Sequence, residues 1–247
     1  LQEPLELEPV RAQQLDQLGY QVEKGVGGTG VVGVLHNGGG DTALLRADMD
    51  ALPVKEQTGL PYASTARGTD RDGHDVPVMH ACGHDVHVTC LLGAAAALAE
   101  NTDAWQGSLI LVFQPAEELG QGARAMIDDG LFERFGKPDV VLGQHVAPIP
   151  AGFLGLRDGP AFAASDALKI IMYGRGAHGS RPEVSVDPVV MAAATVMRLQ
   201  TVVSREVPAT ETAVLTVGAL RAGMKENIIP DDAELLPQRQ IGVGRLR

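Results

Sequence analysis

The sequence predicts an α/β fold on a mostly parallel sheet, with a smaller α+β unit following it. Three observations carry this expectation. Apolar runs of strand length alternate with helix-like segments as far as residue 145. Glycine and proline mark the turns between them. A Pro- and Gly-rich break, "VAPIPAGFLGLRDGPAFAAS" (146–165), then precedes a second stretch that reads strand, helix, strand.

Taken in order, "GVGGTGVVGVL" (25–35) is a glycine turn entering a Val-rich strand, and "DTALLRADMDALP" (41–53) is an apolar run that breaks into acidic residues and proline. "VTCLLGAAAALAE" (88–100) has helix-forming composition, with Asp85 as its expected N-cap and Cys90 as a small core residue. "GSLILVFQ" (107–114) is a continuous buried-type strand stopped by Pro115, "GARAMIDDG" (122–130) is a short helix closed by glycine, and "DVVLGQH" (139–145) is a strand ending on a histidine. In the second stretch, "VDPVVMAAATVMRLQTVVSR" (186–205) is a helix with Asp187 as N-cap and Pro188 at its first position. "ETAVLTVGALRAG" (211–223) alternates like a half-solvated strand.

Composition narrows the function classes. The chain has 247 residues, 45% of them hydrophobic, which is ample for a large core. A net charge of −11 argues against nucleic acid as a partner, because phosphate binding needs clustered Lys and Arg. No apolar stretch has the length of a membrane span. The first residues carry neither an initiator Met nor the basic start and apolar block of a secretory signal, and the two cysteines, Cys82 and Cys90, make no disulfide framework. A cytoplasmic setting is the expectation.

In α/β sheets, ligands bind at the carboxyl ends of the strands. That is where the polar residues collect. Asp48 and Asp50 follow one strand, Glu117 and Glu118 follow another, and His145 ends a third. The loop "MHACGHDVH" (79–87), with Cys82 and His84, opens into a helix. By itself a C-x-H pair is compatible with a metal site, a His-rich surface turn or a thiol nucleophile, although nothing nearby matches a cysteine-protease signature. His80 and His87 read as residues that support the ligands or as loop hydrogen-bonders. Adjacent glutamates in a turn point in different directions, so one can ligate a metal while the other moves a proton. With His145, these residues form an N/O/S set suited to a divalent transition metal.

Six motifs in order, "LLRADMDALPV", "MHACGHDVH", "FQPAEE", "GQHVAPIPAG", "GRGAHGSRP…VDPV" and "NIIPDDAEL", resemble the metal-dependent amidohydrolases of the aminoacylase, hippurate hydrolase and indoleacetyl-amino-acid hydrolase type. These belong to the di-metal exopeptidase family of carboxypeptidase G and acetylornithine deacetylase. The likeness runs from about residue 11 to about residue 235. It implies a zinc-exopeptidase-like catalytic domain, here residues 1–161, and an inserted ferredoxin-like lid and dimerisation domain, here 162–236 and incomplete, with a divergent tail at 237–247.

By position, the resemblance implies metal ligation by Cys82, His84, Glu118 and His145, with Cys82 bridging. It implies Glu117 as general base and Asp50 as support for the metal cluster. Asp48 stands where the wider family has a ligating His. His178 matches a lid histidine that stabilises the oxyanion in a partner subunit's site, and Asn227 matches a lid residue that contacts substrate. The implied activity is hydrolysis of the amide bond of N-acyl amino acids, assisted by two divalent ions (Zn, Mn or Co) about 3.5–4 Å apart. The implied partners are that small substrate and a second copy of the chain, paired through the lid.

The sequence departs from the family pattern in three places. Val86 replaces the usual Gly in "HDVH", the usual N-terminal pattern is missing, and "LPQRQIGVGRLR" replaces the segment that would return to the catalytic domain with a last ligating His. That ending reads as a truncation or a shifted frame. It raises an alternative: a catalytically impaired metal-binding or interaction protein that retains one ion.

Overall fold

The structure, a computed structural model, describes residues 7–70, 73–156, 158–159 and 164–241. Residues 162–163 of the expected lid, 242–247 of the expected tail and 1–6 lie outside the described residues. The chain divides into two compact units between Ile149 and Pro150.

The first unit contains α1 (Leu7–Gln17), β1 (Gln21–Val26), β2 (Gly30–Asn37), β3 (Thr42–Asp48), β4 (Arg67–Thr69), β5 (Asp75–Pro77), α2 (His84–Glu100), β6 (Gly107–Gln114), α3 (Gly122–Asp128), α4 (Leu131–Phe135) and β7 (Val140–Gly143). Its main sheet has the order β1-β2-β6-β3-β7, and β4 and β5 pair separately. The sheet is mixed. β3 pairs in parallel with both β6 and β7, while β2 is antiparallel to β1 and β6. Among its described strands, β2 alone therefore runs against the other four. The reversal comes from the glycine-turned hairpin that joins β1 to β2.

Successive residues of β6 face opposite sides of the sheet, and both sides are covered. Leu109, Leu111 and Phe113 pack with Ala47 and Met49 against Leu15 of α1 and Val88, Leu91 and Ala95 of α2. Ile110 and Val112 pack with Val32 and Leu44 against Met126 and Leu131 from α3 and α4. This double coverage explains the unbroken apolar run of β6. Each fully buried aliphatic or aromatic side chain there contributes about 1.5–3 kcal/mol.

Several local expectations are corrected. α2 begins at His84 with Gly83 as its N-cap, in a left-handed conformation and without a side-chain cap, so Asp85 lies in the first turn instead. Its negative charge suits the helix N-terminus there. Cys90 is exposed rather than in the core. It sits about 200° round the helix from Val88, away from the packing face. β7 ends at Gly143, two residues short of His145, and its residues are exposed because it is an edge strand.

The second unit contains β8 (Ala164–Ala167), β9 (Ile170–Tyr173), β10 (Ala177–His178), α5 (Pro188–Arg205), β11 (Ala213–Ala222), β12 (Ile228–Ile229) and β13 (Asp232–Ile241). β13 pairs with β11 along one edge and with β9 and then β8 along the other. α5 lays Ala192 and Val196 on Ala233, Leu235, Met172 and Val217. β13 runs past residue 236, where the sequence pattern places the start of the tail. Pro237 fits within it because the ladder is bulged opposite, between Val217 and Ala219, and its carbonyl still accepts the Leu168 N–H at 2.9 Å. No helix among the described residues is long and apolar enough to cross a membrane.

Asp187 caps α5 as its sequence position suggests, with Oδ1 accepting from Val189 N at 2.9 Å and Val190 N at 3.3 Å. Asp187→Ala is expected to lower stability by about 1 kcal/mol in chemical denaturation. An unchanged midpoint would show that the cap is redundant.

Candidate metal centre

Register decides which residues meet. Asp48 pairs with Gln114, so β3 and β6 end together, and Arg46 pairs with Gly143 near the end of β7. The segments that follow these strands, together with the N-terminus of α2, occupy one sheet edge. The donor atoms of Cys82, His84 and His145 lie within 4.8 Å of one another, and so do those of His84, Glu117 and Glu118. His84 is common to both groups.

The backbone prepares the two histidines. His84 Nδ1 donates to the Asp50 carbonyl oxygen at 2.9 Å, and His145 Nδ1 donates to the Val146 carbonyl oxygen at 2.7 Å. A carbonyl only accepts, so each Nδ1 carries the ring proton and each Nε2 presents a lone pair. Cys82 Sγ lies 3.4 Å from His145 Nε2. His84 Nε2 is buried and makes no hydrogen bond among the described residues. Three acidic oxygens stand close to it: Asp48 Oδ2 at 3.7 Å, Glu118 Oε1 at 3.9 Å and Glu117 Oε2 at 4.0 Å. A buried lone pair ringed by carboxylates and a thiol fits a cation.

Contrary to the divergence expected of neighbours in a turn, both glutamates reach toward His84 Nε2. Ala116 just before them has φ of 49°, a left-handed conformation that costs an alanine about 1–2 kcal/mol. Its carbonyl accepts from Gln121 N and Gly122 N, both at 3.2 Å, which holds the turn closed. Asp50 supports the same turn, with Oδ2 accepting the Glu118 N–H at 3.0 Å.

Two supporting residues escape motif reading. Arg46 donates from Nη1 to Asp48 Oδ2 at 2.8 Å and from Nε to Gln114 Oε1 at 2.9 Å. The available signal was the spacing in "RAD": two residues apart in a strand share a face. Burial pushes the Asp48 carboxyl up, but the hydrogen bond from His87, the Arg46 guanidinium and the electrostatic influence of the neighbouring His84 and His87 rings outweigh it, and the net shift is downward. Burial, then the hydrogen bond to Glu118 and the surrounding carboxylates, push the Cys82 thiol up to about 11. Burial, Glu118 and Asp48 also raise Glu117, only partly countered by Arg46 and His84.

In the second unit, β10 and β12 pair His178 with Ile228, and Gly179 N donates to the Asn227 carbonyl at 2.8 Å, so His178 and Asn227 are neighbours. His178 Nδ1 accepts from Ser180 N at 3.2 Å and lies 2.8 Å from Ser180 Oγ. Its proton therefore sits on Nε2.

A doubly wound sheet that gathers N, O and S donors at its carboxyl edge is a class of fold and site that supports metal-assisted hydrolysis. The chain belongs to peptidase family M20/M25/M40, whose model matches residues 44–232. It is 47% identical over 226 residues to a hippurate hydrolase of Campylobacter jejuni, covering 91% of this chain and 56% of the relative. It is 46% identical over 193 residues to an N-acetyl-L-cysteine deacetylase of Bacillus subtilis, covering 78% of this chain and 44% of the relative. Among solved structures, a dinuclear metal binding M20 peptidase of Bacillus subtilis superposes with TM-score 0.66 at 29% identity, covering 96% of this chain and 58% of that one. The chain thus spans about half the length of the curated relatives it matches.

Gly83 joins the Cys82 loop to the loop after His145. It has φ of 80°, and a Cβ there would meet Val146 Cγ2 at 2.4 Å. Gly83→Ala is expected to destabilise the fold by about 1–3 kcal/mol, from strain and overpacking together, and to weaken metal binding. Thermal melting with and without added zinc checks this, and wild-type behaviour in both would refute it.

Proposed function

We propose that this chain carries the metal-binding part of an amidohydrolase that cleaves the amide bond of N-acyl amino acids, releasing a carboxylate and an amino acid. The observation that carries this reading is His84 Nε2, a buried lone pair shared by two groups of donor atoms. The names of the relatives, a hippurate hydrolase and an N-acetyl-L-cysteine deacetylase, support the substrate class of this reading. The non-catalytic alternative draws no support from them.

In this reading Cys82, His84, Glu118 and His145 hold two divalent ions, with zinc, manganese and cobalt all compatible with an N/O/S set. Such ions, when bound, supply Lewis-acid charge to a carbonyl oxygen and to water. Asp50 fixes His84 and the Glu118 backbone. Glu117, whose proton affinity its surroundings raise, takes a proton from the attacking water and passes it to the leaving amine nitrogen. His178, with its proton on Nε2, offers that donor to the developing oxyanion in a partner subunit's site, and Asn227 beside it contacts substrate. A homodimer formed through the second unit and a cytoplasmic setting belong to the same reading.

The test is amino-acid release from N-acetyl and N-benzoyl amino acids by the purified protein with Zn, Mn or Co. Turnover is expected with at least one metal and none after chelation. Glu117→Gln is expected to lower the rate by about 10²–10⁴-fold while metal content stays unchanged. No wild-type turnover with any of the three metals would overturn the reading.

A further inference from the structure

His87 is fully buried beside the candidate ligands, and a third group, Asp48, His84 and His87, also brings its donor atoms within 4.8 Å. Both ring nitrogens of His87 are already committed, however. Val146 N donates to His87 Nε2 at 2.9 Å. A backbone N–H only donates, so Nε2 is unprotonated and Nδ1 bears the proton. Nδ1 donates it to Asp48 Oδ1 at 2.5 Å. The ring is thereby a neutral brace between the end of β3 and the loop after β7, with no lone pair left for an ion.

What the brace holds is the peptide next to His145. The Val146 N–H is held by His87, and the Val146 carbonyl holds His145 Nδ1 at 2.7 Å. The two rings pack edge to face with centroids 4.6 Å apart. The orientation of the His145 ring, and so the direction in which its Nε2 points, is fixed through one peptide unit that His87 anchors to Asp48. We propose that His87 is a positioning residue for His145: it sets the His145 imidazole in its metal-binding orientation and is not itself a ligand. This rests on the reading of His145 as a metal ligand.

Two substitutions separate the two ends of the brace. His87→Gln places an oxygen near the Nε2 position, keeping an acceptor for Val146 N–H while losing the donor to Asp48. His87→Asn places a nitrogen near the Nδ1 position, keeping the donor to Asp48 while losing the acceptor. Zinc affinity by competition with a chromophoric chelator, and exchange of the Val146 amide in the metal-free protein, are the readouts. His87→Asn is expected to weaken zinc binding by about 10- to 100-fold and to speed Val146 amide exchange, whereas His87→Gln, which keeps the Val146 acceptor and loses only the anchor to Asp48, is expected to lose less in both. Equal losses in the two variants, or none in either, would overturn the proposal.

Side-chain ¹⁵N shifts of the wild-type protein decide it even if a variant fails to fold. A protonated Nδ1 with a bare Nε2 at His87 supports the brace, and a protonated Nε2 overturns it. Wild-type protein that binds no zinc would sink the metal reading instead, while the tautomer and the Val146 exchange would still decide the brace.

Discussion

Asp48 is a carboxylate with 1% of its surface exposed, at the end of a central strand. Burying such a charge costs several kcal/mol unless it is paired and hydrogen-bonded, so its partners are obligatory. Arg46 supplies one from the same face of β3, and His87 supplies the other from α2. Because these partners outweigh desolvation, the carboxylate stays ionised and draws α2, β3 and the loop after β7 into one arrangement. The candidate ligands are mounted on the elements that this charge holds together. Arg46 also ties in β6 through Gln114, so the three strands whose ends carry the site share one polar network.

Topology explains why that network lies where it does. From β3 the chain passes through α2 to β6 on one side, and from β6 through α3 and α4 to β7 on the other. The helices cover opposite faces, and the candidate ligands gather where the strand order reverses. The two backbone irregularities nearby serve the same end. Ala116 accepts a left-handed conformation so that both glutamates turn back toward His84, and Gly83 lacks a side chain so that the His145 loop can close against it.

Much of this was legible in the sequence wherever the signal is local. A continuous apolar run found β6 and helix-like patterning found α5, and Asp187 with Pro188 marked a helix start because a cap acts within three residues. Asp48, Asp50, Cys82, His84, Glu117, Glu118 and His145 could be gathered because strand ends in a parallel sheet share an edge, while the choice of four of them as candidate ligands came from the family resemblance. What was not legible depends on distant partners. Cys90 belongs to an apolar helix, but which face of that helix is covered is decided by β3 and β6. Asp85 has the composition of a cap, but the turn at Gly83 starts the helix two residues earlier. The antiparallel insertion of β2 follows from a hairpin whose pairing with β6 joins residues 70 or more apart.

The histidines show how far composition alone falls short of role. His84, His87 and His145 have the same side chain and ring centroids within 6.1 Å of one another. What separates them is the backbone group each one meets. A carbonyl at Nδ1 forces the proton there and leaves Nε2 of His84 and His145 facing acidic and sulfur donors. An amide N–H at Nε2 consumes that lone pair in His87 and turns the ring toward Asp48. Ligand geometry and supporting geometry thus differ by whether a peptide presents its oxygen or its nitrogen. Val146 presents both, its oxygen to His145 and its nitrogen to His87. A motif such as "MHACGHDVH" can mark where histidines gather, but the peptides around it assign what each one does.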